Sequence, residues 1–283
     1  MTKSALHFTI ASALAALCLC AERAAAIEFY VVSQPDRNLY RVDSENLGVP
    51  TLVGPITTGT DLYEIVNLGA AGLLTFDRDG NQVITLDPAD ASVQATATTD
   101  DDIALTVRGF DVNSAGTLYG VFAGMELRTI DRVTGATVLV ANVTGAARVE
   151  ALAFGPGDVL YAMGSVGADG NSENLYTLNA VTGQLTLIGP TGFADVDTLT
   201  FAPDGFLYGA NARAAVTNEL LRISPLTGAG TVVGNTGVFG LNGIAVVPEP
   251  STILLVLAGL GCCCASSIVR RGRKLLVASA KQV

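Results

Sequence analysis

Leu39-Tyr40-Arg41-Val42-Asp43 opens a pattern that returns four times, as Val83-Ile84-Thr85-Leu86-Asp87, Leu127-Arg128-Thr129-Ile130-Asp131, Leu175-Tyr176-Thr177-Leu178-Asn179 and Leu220-Leu221-Arg222-Ile223-Ser224. The fifth positions step by 44, 44, 48 and 45 residues, a period near 45. The first and fourth positions are apolar, the third is Arg or Thr, and the fifth is a turn-former, so each copy reads as a strand running into a hairpin. In three copies the turn closes on Thr-Gly: Arg132-Val133-Thr134-Gly135, Ala180-Val181-Thr182-Gly183 and Pro225-Leu226-Thr227-Gly228. Glycine there supplies the positive φ of a short loop. Another strand follows, as at 185–188 and 231–233. Upstream, Phe29-Tyr30, Leu73-Leu74, Leu118-Tyr119, Leu160-Tyr161 and Leu207-Tyr208 mark a strand, and residues 63–66, 109–112, 151–154 and 198–201 mark one before it. Each unit therefore contains four short strands, the content of a propeller blade.

The copies do not start and stop together. The first lacks its leading strand, while Leu241-Asn242-Gly243-Ile244-Ala245-Val246-Val247-Pro248 near the C-terminus repeats the pattern of Val196-Asp197-Thr198-Leu199-Thr200-Phe201-Ala202-Pro203. A final strand that completes the first blade closes a ring and removes free sheet edges. An open stack of repeats would need polar caps at both ends, and none is visible. The expected fold is all-β: a five-bladed β-propeller over residues 27–247, with four-stranded blades of about 45 residues and a clasp of N- and C-terminal strands. The tyrosines at equivalent positions, Tyr30, Tyr119, Tyr161 and Tyr208, are expected to pack between blades. The unit resembles the Leu-Tyr-x-Ile-Asp-x-x-Thr-Gly repeats of secreted bacterial propellers, including the DUF4394 group; that resemblance implies a fold and assigns no active-site residues.

The two ends read as addresses. Residues 1–26 have a basic start at Lys3, an apolar core from Phe8 and small residues before Ile27, which predicts a signal peptide cleaved after Ala26, with Ala24 and Ala26 as the small positions. At the other end Pro248-Glu249-Pro250 precedes an uncharged apolar stretch, 252–269, long enough to span a bilayer, and Arg270, Arg271, Arg273 and Lys274 stop it there and hold residues 275–283 in the cytoplasm. The order of Pro-Glu-Pro, apolar helix and basic cluster over 248–274 resembles the PEP-CTERM sorting signal of Gram-negative bacteria, a tail also known as the ice-binding protein C-terminal domain. That resemblance implies recognition by an exosortase-type transpeptidase, an inner-membrane intermediate, and release to the cell surface or the exopolysaccharide matrix. It concerns location, not activity, and the alternative label is no sign of ice binding.

Between these ends the chain has no Cys, His, Lys or Trp. The usual zinc sites, Ser-His-Asp triads, thiol nucleophiles and Schiff-base chemistry are excluded there, and no disulfide holds the domain. It carries 24 acids (the chain's 26 less Glu22 and Glu249) against nine Arg, a net charge of −15, so nucleic acid is not an expected partner. Carboxylates are the remaining acid-base groups. Most fall at turns or strand ends, where Asp serves backbone hydrogen bonding. Asp100, Asp101 and Asp102 offer oxygen donors for a candidate calcium site, against the plain reading of a solvated acidic loop, and no other cofactor is expected. Asp77-Arg78-Asp79-Gly80-Asn81 reads more simply as a hairpin turn.

The leading functional expectation is a non-enzymatic binding or structural propeller of the surface or matrix, with exopolysaccharide or other surface proteins as partners. The polar segments to inspect first are 171–174, 211–218 and 237–242. The alternative is a carboxylate-dependent, glycosidase-like hydrolase. Inward-facing acids in a deep central pocket would favour the enzyme, and shallow acidic loop faces would favour the module.

Overall fold

The computed structural model describes residues 26–99, 107–122, 124–167, 173–211 and 217–248. β1 (Glu28–Ser33), β2 (Asn38–Asp43) and β3 (Thr51–Pro55) form three strands of the first blade. The second contains β4 (Leu62–Asn67), β5 (Leu73–Asp77), β6 (Gln82–Leu86) and β7 (Val93–Thr98), and the third β8 (Gly109–Val112), β9 (Leu118–Phe122), β10 (Glu126–Ile130) and β11 (Thr137–Asn142). The fourth contains β12 (Arg148–Gly155), β13 (Val159–Ser165), β14 (Glu173–Leu178) and β15 (Leu185–Pro190), and the fifth β16 (Val196–Phe201), β17 (Leu207–Asn211), β18 (Thr217–Ile223) and β19 (Gly230–Phe239). β20 (Leu241–Val246) then returns to the first blade and pairs antiparallel with β1, Phe29 facing Val246 and Val32 facing Gly243. The protein is an all-β, five-bladed propeller of antiparallel four-stranded blades, closed by its own last strand as the offset of the repeats requires.

β20, β4, β8, β12 and β16 are the innermost strands, and each lies against the next around the ring. The apolar positions of the repeat fill the space between blades. Among the described residues the core divides into five clusters, one per blade interface; that between the fifth and first blades contains Phe29, Val31, Tyr208, Leu220, Leu241 and Ile244. Aromatic pairs cross these interfaces: Phe29 meets Tyr208 at 5.0 Å between ring centroids, Tyr119 meets Phe154 at 5.6 Å, and Tyr161 meets Phe201 at 5.9 Å. Such pairs are worth about 0.5–1.5 kcal/mol each beyond their burial.

The fifth position of the repeat organises its turn. Asp131 accepts from the N–H groups of Val133 and Thr134, Asn179 from Val181 and Thr182, and the Ser224 hydroxyl from Leu226 and Thr227. The glycine that follows has a second duty, because the turn docks on the preceding blade. A Cβ on Gly183 would lie 2.1 Å from the Asn142 carbonyl oxygen, and the Gly183 carbonyl accepts from Thr144 N–H at 2.9 Å. Gly205, at φ +84°, has open space where a Cβ would go. Gly205→Ala is therefore expected to cost only the backbone strain, about 1–2 kcal/mol, and Gly183→Ala distinctly more, read as the difference between the two variants' denaturation midpoints.

The chain divides at Val247/Pro248. Of the sorting motif and membrane stop, Pro248 is described, while Glu249, Pro250, Arg270, Arg271, Arg273 and Lys274 lie outside the described residues, as do Ala24, Asp100, Asp101 and Asp102. Ala26 is described, and the hydrogen-bonded fold begins beside it: Ile27 N–H donates to the Ser44 hydroxyl and Ile27 C=O accepts from Ser44 N–H. Among the described residues no helix is long and apolar enough to cross a membrane.

Candidate functional site

The innermost strands can be superposed through the pairs Asn67↔Leu73, Val112↔Leu118, Phe154↔Leu160, Phe201↔Leu207 and Val246↔Phe29. Four positions ahead of these pairs stand Tyr63, Arg108, Glu150, Asp197 and Asn242, one from each blade. The ladder to the second strand is irregular there in four blades: Glu150, Asp197 and Asn242 are skipped in the register, and in the second blade the bulge shifts by one to Glu64, at φ +50°. A bulge frees a side chain from the strict alternation of the strand and re-aims it. The result is a polar ring at the end of the channel where the inner strands begin.

Glu150 is its anchor. Arg108 Nη1 reaches both Glu150 oxygens, at 3.1 and 3.3 Å, and Arg148 Nε pairs with Glu150 from the same strand. The glutamate side chain is 1% exposed and the two guanidinium side chains are 33% and 31% exposed, so the acid lies beneath and its cations line the opening. Removing one partner of such a buried pair typically costs 3–5 kcal/mol. On the opposite side Arg78, from the β5–β6 turn, lies 3.9 Å above the Tyr63 ring and donates through Nε to Asp61 at 2.7 Å, while Gln34 donates to the other Asp61 oxygen. Burial holds the Tyr63 hydroxyl well above its ordinary pKa, and the nearby Asp197 carboxylate adds to the effect.

Two carboxylates stand apart from this pairing. Glu173, the first residue of β14, is 1% exposed and neither of its oxygens has a hydrogen-bond partner among the described residues; Asp197 Oδ1 is likewise buried without one. Burial, followed by the negative charge of Asp197, pushes the Glu173 carboxyl up to about 7, against the lowering field of Arg148. Burial also raises Asp197, opposed first by Arg148.

Below the ring the channel is crossed. Glu64 accepts from the Thr198 hydroxyl at 3.1 Å and from Leu199 N–H at 3.2 Å, reaching from β4 to β16, two inner strands with β20 between them. Gly243 of β20 permits this, because a Cβ there would lie 2.5 Å from the Glu64 carbonyl carbon. At the far end a cavity of about 190 Å³ is bordered by Asn67, Asp111, Phe154, Thr200 and Phe201. Asp111 is half-buried there; it accepts from Phe154 N–H at 2.6 Å and Val112 N–H at 2.7 Å, and desolvation pushes its carboxyl up to about 7.

The expectation that acids serve turns holds for Asp131 and also for Asp77, which accepts from Thr60, Asp61 and Gly80 N–H groups. It fails for Glu64, Asp111, Glu150 and Asp197, which inner-strand placement carries toward the axis, and for Glu173, buried at the start of the third strand of its blade. Of the segments singled out from sequence, 171–174 contributes Glu173 and 237–242 contributes Asn242 to the mouth. Within 211–218, Asn211 and Asn218 are bonded to one another. The signal for the ring was present in the sequence: Tyr63, Arg108, Glu150, Asp197 and Asn242 step by 45, 42, 47 and 45 residues, in register with the repeat. Among the described residues no group of three or more His, Cys, Asp or Glu is arranged to hold a metal ion.

No family model matches the chain, and no curated protein matches it in sequence. Among solved structures it is similar to a chain of the nidogen/laminin complex, at 13% identity and a TM-score of 0.52, covering 78% of this chain and 84% of that one. It is also similar to a protein of unknown function from Bacteroides caccae, at 12% identity and a TM-score of 0.50, covering 80% and 100%. At such identities the likeness is one of fold alone.

Proposed function

We propose that this chain is an exported propeller, sorted to the cell surface or extracellular matrix, that acts as a non-enzymatic binding module through the polar mouth of its channel. The carrying observation is the convergence of five different side chains, Tyr63, Arg108, Glu150, Asp197 and Asn242, at one repeat position whose preceding residue is a buried Leu or Val in every blade. A position under packing constraint alone would repeat its chemistry as the Leu and Gly positions do; this one diversifies, at the end of the ring where Arg108 and Arg148 reach solvent. The Pro-Glu-Pro tail supports the location, with an exosortase-type transpeptidase as the processing partner and matrix exopolysaccharide as the first ligand to test. In cell fractions the mature protein is expected at the surface or in the medium, with an intact mass lacking the apolar 252–269 segment. Capture on the producing strain's exopolysaccharide should be lost in the Arg108→Gln/Asp197→Asn double variant, in which the glutamine amide still donates to Glu150, with cooperative unfolding of the variant as the check on its fold. A full-length form confined to the inner membrane overturns the sorting, and capture by the double variant equal to wild type overturns the mouth.

A carboxylate-dependent hydrolase is the second reading. It is favoured by one observation, a buried Glu173 carboxyl without a hydrogen-bond partner among the described residues, which burial pushes up to about 7 so that it could hold a transferable proton at neutral pH. Turnover of chromogenic glycosides that disappears in Glu173→Gln would replace the first reading with this one.

A further inference from the structure

Glu173 departs from a solution that the fold uses elsewhere. Its counterpart in the fifth blade is Asn218: each stands two residues ahead of a buried leucine, Leu175 or Leu220, and the backbone carbonyl of each accepts a threonine hydroxyl at 2.8 Å, from Thr191 or Thr236. Asn218 then satisfies itself completely. Its amide nitrogen donates to the Asn211 carbonyl, and its amide oxygen accepts from Leu241 N–H at 2.8 Å, sealing the fifth blade against β20. Glu173 keeps the threonine bond but presents two carboxylate oxygens that meet no donor among the described residues, although the residue is 1% exposed. An unpaired buried carboxylate costs several kcal/mol, so a fold that places an amide at the equivalent position gains nothing structural from the acid.

Among the described residues the buried groups without a hydrogen-bond partner here are three acceptors, Glu173 Oε1, Glu173 Oε2 and Asp197 Oδ1, and one donor, Arg148 Nε. Arg108 and Arg148 both engage Glu150, and among the described residues neither forms an ion pair with Glu173 or Asp197. What these two acids lack is a donor within hydrogen-bonding reach. A metal ion would bring charge, but no constellation of three ligating side chains is present among the described residues. A hydroxyl brings one donor together with lone pairs that need donors of their own. A primary ammonium brings three N–H donors and one positive charge, without acceptors, and its bonds to carboxylate are charge-assisted. With the channel mouth as the binding surface, on which this step rests, we propose that the ligand presents a primary ammonium group to Glu173 and Asp197. The ligand class is a primary amine, free or carried on a larger hydroxylated molecule.

The groups that set the charge of Glu173 are Asp197 and Asp195, which raise its pKa along with burial, and Arg148, which lowers it. Amine binding should therefore strengthen as pH rises through about 7, where Glu173 becomes a carboxylate. The test compares ethanolamine with ethylene glycol, two probes that differ in an ammonium against a hydroxyl, on the full chain by thermal unfolding at pH 8 and matched ionic strength. Saturating ethanolamine is expected to raise the melting temperature by about 3 °C over sodium chloride. Ethylene glycol should have no effect, and the rise should shrink at pH 5.5 and vanish in Glu173→Gln, which restores the amide chemistry of Asn218, and in Asp197→Asn. Equal effects of the two probes, no effect of ethanolamine, or a full effect in both variants would each overturn the amine class. If exopolysaccharide capture still depends on Arg108 and Asp197 in that event, the mouth stands as a binding surface and only the ligand class falls; if capture is also independent of them, both fall.

Discussion

A chain ending at Gly240 is expected to lose cooperative folding, whereas one ending at Pro248 folds. Residues 241–247 supply the whole inner strand of the first blade. Leu241 and Ile244 are fully buried, and β20 packs on the clusters at both of that blade's interfaces through Leu241, Ile244 and Ala245. Each fully buried aliphatic side chain contributes about 1.5–3 kcal/mol by transfer alone. The loss also removes the ladder to β1, leaving the backbone of Phe29 to Ser33 as an open edge, and deletes the acceptor that Asn67 uses on Val246 at 2.8 Å. The sum approaches the whole stability of an ordinary domain, about 5–15 kcal/mol. Such an edge also templates association, so aggregation should accompany the loss. Equal denaturation midpoints for the two chains would mean that the closing strand is dispensable. Ile244→Ala provides a graded version, expected to cost about 2–5 kcal/mol.

Stability is expected to fall as pH rises from about 4 to about 7, with Asp111 one of the sources. Its carboxyl is raised by burial from the ordinary 3.8 to about 7, so the folded state favours the protonated form. A raised folded-state value means that the contribution is fully present below the unfolded value and lost as pH climbs to the folded one. Three units correspond to about 4 kcal/mol. Glu173 and Glu64, raised mainly by burial, act in the same direction. Asp90, Asp131 and Asp158 act oppositely, because backbone and hydroxyl donors hold their exposed carboxylates low. Asp111→Asn removes the titration but can accept only one of the two N–H groups, from Val112 and Phe154, at a cost of about 1 kcal/mol. The variant should therefore be less stable than wild type at pH 4.5 and more stable at pH 8. Urea denaturation at the two pH values reads the crossing directly; parallel pH profiles would show that the Asp111 carboxyl ionises normally in the fold.

Local pattern by itself determined the number of blades, the strands within them, the turn chemistry and the closing strand. The quintet at Leu39 and its copies are short-range signals, in which apolar spacing and a turn residue act within ten positions, and the offset of the first and last copies is simple counting. The exclusion of Cys, His and Lys chemistry from the domain also came from the sequence. The channel site was legible only in its spacing: its members, scattered from Tyr63 to Asn242, step with the repeat, but each looks locally like an ordinary residue at the start of a strand. Packing of successive blades brings Arg108 of the third onto Glu150 of the fourth, and ring closure carries Glu64 of the second across to Leu199 of the fifth. Burial is likewise a tertiary quantity. Nothing in the neighbourhood of Glu173 in sequence distinguishes it from a solvated acid before Asn174, whereas packing of the fourth blade removes both of its oxygens from water and leaves them without donors. Register within a strand is set by side-chain period and turn geometry, which the sequence carries. The meeting of charges at the centre depends on how five strands bulge and converge, and on the loss of solvent around them, which exist only once the ring has closed.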